Sequence, residues 1–197
     1  LKEKLEKAIE TNPLLKQFRN QILIDITSEG LRIQIVDEKN RPMFDLGGAH
    51  MKSYTIQVLH EIGKVLNEVP NRISLSGHTD ATPYFSGEKA YSNWELSSDR
   101  ANSSRRELIA GGMDEGKILR VVGLASALML DNNDPFNPIN RRISLIVLNK
   151  ETEDAISRGG KPLEVKKPEQ ASIALEAPLK EKPKETQGAT AAESNKH

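Results

Sequence analysis

Residues 72–112, RISLSGHTDATPYFSGEKAYSNWELSSDRANSSRRELIAGG, contain a strand, a long loop and a helix in that order. Arg72-Ile73-Ser74-Leu75-Ser76 alternates polar and apolar residues with the period of two that a strand requires. Ser97 is a good N-cap, so a helix is expected from about Ser97 to Ala110, ending at Gly111-Gly112. Asp80 then stands just past a strand, and Arg100 falls in the first turn of a helix. A cation there opposes the helix dipole at a cost of roughly 0.3–1 kcal/mol. Two readings of Arg100 stay open: a structural salt bridge with Asp99, Glu95 or Asp80, or a planar fork offered to a carboxylate ligand at a helix N-terminus.

The flanking segments supply the other elements. Met51, Tyr54, Val58, Leu59, Ile62, Val65 and Leu66 recur at helical spacing, and Asn67-Glu68-Val69-Pro70 stops that helix. From Gln21, the run ILIDI, the turn Ser28-Glu29-Gly30 and the run LRIQIV predict a β-hairpin. Ile118–Val122 and Arg142–Leu148 complete the order ββαβαββ. Two helices covering one face of a mixed sheet, a two-layer α/β sandwich, is the natural solution. Leu1, Leu5 and Ile9 form a thin apolar stripe on a charged helix that Pro13 breaks, a stripe suited to a partner helix or neighbouring surface rather than a core. Residues 151–197 carry Pro162, Pro168, Pro178 and Pro183, many Lys, Glu and Ala, and no aromatic residue, and so cannot bury enough apolar surface to offset ordering entropy. The expected organisation is a helical linker over 1–20, a folded domain over 21–150 and a flexible tail over 151–197.

Composition narrows the function classes. Lys+Arg and Asp+Glu balance at 28 each, so nothing points to nucleic acid or an anionic membrane surface. The chain has no cysteine, hence no disulfide framework and no thiolate metal site. His50, His60, His78 and His197 fit no ligand spacing, so neither a metal nor a cofactor is expected. The longest apolar runs are strand-sized. A first residue of Leu1 rather than methionine leads us to expect a fragment of a longer protein.

Three ordered motifs, Gly77-His78-Thr79-Asp80, Asn93-x-x-Leu96-Ser97-x-x-Arg100-Ala101 and Asn140-Arg141-Arg142-Ile143, resemble those of OmpA-like peptidoglycan-binding domains over roughly residues 20–150. Residues 75–112 are similar in particular to the periplasmic part of flagellar motor stator subunits. The resemblance implies a βαβαβ core with an added N-terminal hairpin strand, and non-covalent binding of the diaminopimelate group of peptidoglycan without catalysis. It implies that Asp80 faces the ligand's ammonium and Arg100 its carboxylate. Thr79 and Asn93 would shape the pocket, Leu96 and Ser97 belong to the same motif, and Arg141 would support it. Further implications are a periplasmic location, an upstream membrane helix that pairs with a partner stator membrane subunit, and a homodimer, for which the Leu1, Leu5, Ile9 stripe offers a contact.

Other readings compete. A general wall tether on a porin or lipoprotein would use the same pocket. A wall amidase or peptidase is the enzymatic alternative, since Ser76, His78 and Asp80 alternate along one strand face, but no G-x-S-x-G elbow surrounds Ser76. Arg141 and Arg142, adjacent in a strand, should face opposite sides, one toward the pocket and the other on the surface. The loop between Asp80 and Arg100 is longer than is common in the family and holds Tyr84, Phe85, Tyr91 and Trp94, four of the chain's eight aromatic residues. These residues either pin the loop to the body, the simpler reading, or carry a glycan strand. Ser104 replaces a usual apolar residue, and Ala125 stands where a glycine is common in the family.

Overall fold

The structure is a computed structural model that describes residues 1–84 and 91–159. Five strands form one sheet: β1 (Ile22–Thr27), β2 (Gly30–Val36), β3 (Ile73–His78), β4 (Ile118–Gly123) and β5 (Arg142–Leu148), in the spatial order β1-β2-β5-β3-β4. Neighbours are antiparallel except β3 and β4, which run parallel. The helices are α1 (Lys2–Thr11), α2 (Pro13–Gln17), α3 (Ser53–Leu66), α4 (Asn93–Ala110) and α5 (Lys150–Ser157). The expected order ββαβαββ is present, and the parallel β3–α4–β4 crossover makes the sheet mixed.

One core lies between the sheet and α3. Ile33 and Ile35 of β2, Ile73 and Leu75 of β3 and Ile143, Leu145 and Val147 of β5 meet Val58, Leu59, Ile62 and Leu66 of α3. The second helix, α4, buries a different kind of surface: Ser97, Ser103 and Ser104 together with Ala101 and Leu108. Small residues let it lie against the strands. A Cβ on Gly77 would collide with the Ser97 carbonyl, and one on Gly123 with the Ser98 hydroxyl. Ser104, fully buried, satisfies its hydroxyl by donating to Arg100 O at 2.9 Å.

Three expectations change. First, α4 begins at Asn93, four residues before Ser97. Ser92 is its N-cap, and Ser92 with Glu95 forms a reciprocal capping box that satisfies two orphan amides, more than a lone serine could. Second, residues 1–20 are not a linker: Leu5 and Ile9 are buried in the domain's own core, and the compact unit spans Leu1–Gly160. Asn12 makes the corner, accepting from Leu14 N–H at 2.9 Å while Pro13 starts α2. Third, the segment after Lys150 opens with α5, capped by Asn149 through Thr152 N–H at 2.8 Å. The rest of the expected tail lies outside the described residues. Among those residues no helix is long and apolar enough to cross a membrane.

Candidate ligand-binding site

Strand register gathers charges at one end of the sheet. Val36 and His78 both pair with Arg142 on β5, so the residues beyond these strand ends, Asp37, Asp80 and Arg141, converge. A cleft of about 560 Å³ opens there, bounded on one side by the loop through Phe44, Leu46 and Gly47 and on the other by Asn93, Leu96 and Arg100 of α4. Of the residues expected from sequence, Thr79, Asp80, Asn93, Leu96, Arg100 and Arg141 line this cleft.

Ser97 does not. It is wholly buried beneath the cleft, where its Oγ donates to Trp94 O at 3.0 Å and accepts from Ala125 N–H at 3.0 Å. Ala125 O in turn accepts from Thr79 N–H at 2.8 Å. Ser97 thus ties α4 to the start of the Thr79-Asp80 segment. Ala125 makes both bonds at φ +45°, a left-handed conformation that glycine adopts at lower cost.

Arg100 sits two turns inside α4, so its position owes nothing to the helix N-terminus. Its Nε donates to Gly48 O at 2.9 Å and its guanidinium lies 4.9 Å from the Phe44 ring centroid. The two terminal nitrogens have no hydrogen-bond partner among the described residues, and no carboxylate there forms an ion pair with Arg100. Burial pushes this guanidinium below its ordinary value, with Asp37 partly offsetting the effect. The salt-bridge alternatives with Asp99, Glu95 and Asp80 are therefore not formed.

Asp80 is engaged by a different cation. Arg141 donates through Nη1 to Asp80 at 2.7 Å and through Nε to Asp37 at 2.8 Å. The second oxygen of Asp80 accepts from Thr82 N–H at 3.0 Å. Burial raises the Asp37 carboxyl above the usual carboxylate range, against the Arg141 bond and a 2.7 Å bond from Met43 N–H. For Arg141 burial opposes the charge, but the bonds to both carboxylates outweigh it and the guanidinium is raised. Asp37 and the Phe44–Gly47 loop escaped the sequence reading because they lie more than thirty residues before Asp80 and carry no motif of their own. Thr79 Oγ1 is buried with no hydrogen-bond partner among the described residues.

Of the charged residues that line the cleft, Asp37 and Asp80 are paired with Arg141 and Asp45 with Lys52, which leaves Arg100 without an ion-pair partner among the described residues. One carboxylate edge (Asp80) and one guanidinium edge (Arg100) face the same space. Such a pair matches a small ligand with an ammonium and a carboxylate, each charge meeting its opposite on burial.

The neighbouring candidates resolve differently. Arg142 is not on the surface: it is buried and donates to Gln34 Oε1 at 2.8 Å and to the carbonyls of Asn140 and Leu128, holding the loop that connects β4 to β5. Burial lowers its guanidinium to about 10. His78 is buried, faces Ser76 Oγ at 3.1 Å, and is pushed down to about 3 by burial and the nearby Arg142. Among the described residues no cluster of His, Asp and Glu could hold a metal ion. The Tyr84 and Tyr91 rings meet at a tilt of 53° with centroids 4.9 Å apart, with Tyr84 OH donating to Gly47 O and Tyr91 OH to Asp99, so both pin the loop to the body. Phe85 lies outside the described residues.

A model of the OmpA family matches residues 43–141, half of the chain. The chain belongs to the OmpA family. The matched span holds every OmpA-family motif residue on the cleft and excludes Asp37. Motility protein B of Escherichia coli (strain K12) is 57% identical over 156 residues, 79% of this chain and 51% of that protein. The chain thus spans about half the length of the curated relatives it matches. The fold is shared with the periplasmic domain of Helicobacter pylori MotB, with a TM-score of 0.57 at 17% identity over 70% of this chain and 90% of that one. It is also shared with the cell wall anchor of the type VI secretion system (T6SS) of Pseudomonas aeruginosa, with a TM-score of 0.57 at 19% identity over 70% and 95%.

Proposed function

We propose that this OmpA-family domain is a non-enzymatic anchor that grips peptidoglycan by the diaminopimelate end of a stem peptide. The observation that carries this reading is the convergence of Asp80 and Arg100 on one cleft. Asp80 takes the ammonium. The terminal nitrogens of Arg100 take the carboxylate in a bidentate, charge-assisted contact. Thr79 and Asn93 contribute hydrogen bonds to the same end group.

The 57% identity with Motility protein B supports a place in the flagellar motor stator, as the periplasmic domain of an inner-membrane protein. In this proposal an upstream membrane helix pairs with a partner membrane subunit, and the wall contact holds the stator against torque. The protein works as a homodimer. Leu5 and Ile9 are covered by their own domain, so the dimer contact lies on another surface. Hydrolysis has no support in the geometry: Asp80 is held by Arg141 rather than by His78, and His78 resists protonation.

Arg100→Ala tests the proposal. The variant is expected to stop sedimenting with purified sacculi while its circular dichroism spectrum stays native. Undiminished sedimentation would remove the wall from the function of this cleft.

A further inference from the structure

Most large hydrophobic side chains are buried, and only five among the described residues stand in solvent: Ile26, Leu46, Trp94, Leu128 and Phe136. Their placement is uneven. Leu46 lines the cleft itself. Trp94 follows Asn93, whose Nδ2 donates to Thr82 O at 2.8 Å. Phe136 follows Pro135, whose carbonyl accepts from Ala81 N–H at 2.9 Å. Both residues therefore follow directly on points tied to the short segment that carries Asp80, and they are 54% and 61% exposed.

Neither ring sits on a loose support. The capping box of Ser92 and Glu95 fixes the turn that bears Trp94. The loop that bears Phe136 is held by the fully buried Asn140, which accepts from Leu130 and Asp131 N–H at 2.8 Å and donates to the carbonyls of Asp131 and Asp134. An aromatic side chain left in water gains nothing from folding, and a fixed backbone beneath it is what a binding surface requires.

Their surroundings favour one kind of occupant. Asp131, Asp134 and Glu95 flank the rings, so an anionic lipid surface is repelled. An apolar protein partner would call for a continuous greasy patch, whereas Asn93-Trp94-Glu95 and Asp134-Pro135-Phe136-Asn137 each set one aromatic residue among polar neighbours. A sugar ring matches that alternation, with one face of C–H groups to lie on an aromatic ring and a rim of hydroxyls for the polar neighbours. The stem peptide is short, and at about 3.3–3.6 Å per residue three residues span roughly 10 Å, so its sugar cannot lie far from the cleft.

We infer that Trp94 and Phe136 form a preformed platform that stacks on the glycan strand whose stem peptide occupies the cleft. This rests on the peptidoglycan reading above and extends it from the peptide to the saccharide. The domain then distinguishes a stem peptide attached to its glycan from a free one.

Trp94 is the only tryptophan of the chain, so its emission reports on the platform directly. The test titrates the protein with a wall disaccharide-peptide and, separately, with the same peptide lacking sugar, and measures sedimentation of Trp94→Ala and Phe136→Ala with sacculi. Expected are a shift of Trp94 emission with the disaccharide-peptide alone, and about tenfold weaker sacculus binding in each variant, equivalent to about 1.4 kcal/mol, with free-peptide affinity unchanged. Peptide binding with Trp94 silent toward the disaccharide-peptide overturns the platform, as does native sacculus binding in both variants. Loss of free-peptide affinity in the variants also overturns it, because the rings would then act through the cleft. An emission shift with lipid vesicles alone points to a membrane and contradicts it. A response to glycan with no binding of the free peptide would leave the platform standing and sink the diaminopimelate reading instead.

Discussion

Arg141 donates to Asp80 at 2.7 Å while its Nε holds Asp37 at 2.8 Å, so one guanidinium neutralises two carboxylates that are each nearly buried. Asp80 is thereby positioned before any ligand arrives. Its orientation is fixed at both oxygens, by Arg141 and by Thr82 N–H, while Arg100 uses Nε alone in its hydrogen bonds among the described residues. The cleft is preorganised on its acidic side and unsatisfied on its basic side.

Arg141→Ala should leave Asp37 and Asp80 facing each other without a cation. Breaking a buried ion pair from one side costs about 3–5 kcal/mol, and the 28% exposure of the Arg141 side chain places this one at about 3 kcal/mol. Urea denaturation at neutral pH measures it. A loss below about 1 kcal/mol would show that solvent already screens the pair.

Ser97→Ala removes the acceptor of Ala125 N–H, a buried amide, and should destabilise by about 2 kcal/mol. Ser92→Ala, which breaks the capping box, should cost about 1 kcal/mol. Thermal melts of the two variants rank them. The opposite ranking would restore Ser97 as the helix cap and contradict its role as the tie between α4 and Thr79.

How far the sequence reaches is visible in these residues. The strands and α3 were legible because alternation and 3.6-residue spacing follow directly from one-sided burial. The start of α4 was misplaced although its signal was present, since Ser92-x-x-Glu95 spells a capping box that a second plausible serine obscured. The cleft was legible only where motif residues form it. Asp37 joins Asp80 through β2–β5–β3 register, a relation between distant segments that no local pattern encodes. The stripe of α1 was read correctly as apolar but assigned to the wrong neighbour, because a thin stripe does not say which surface will cover it.

His78 gives the acid limb of stability a specific cause. Its ring is held down to about 3 from an ordinary 6.5, mainly by burial. Below pH 6.5 the unfolded chain takes up a proton that the folded chain refuses until about pH 3. The His78 contribution is thus fully present above 6.5 and lost as pH falls through that window, on the order of a few kcal/mol. Urea midpoints across pH 3–7 should fall more steeply in the native chain than in His78→Gln. Parallel slopes would mean that the imidazole is protonated in the fold.

The most direct measurement is a crystal structure of the domain with meso-diaminopimelate bound. The account predicts the ligand in the cleft between Phe44 and Leu96, its ammonium within about 3 Å of Asp80 and its carboxylate across the two terminal nitrogens of Arg100. A ligand bound with these ends exchanged, or on any other surface with the cleft empty, would contradict it.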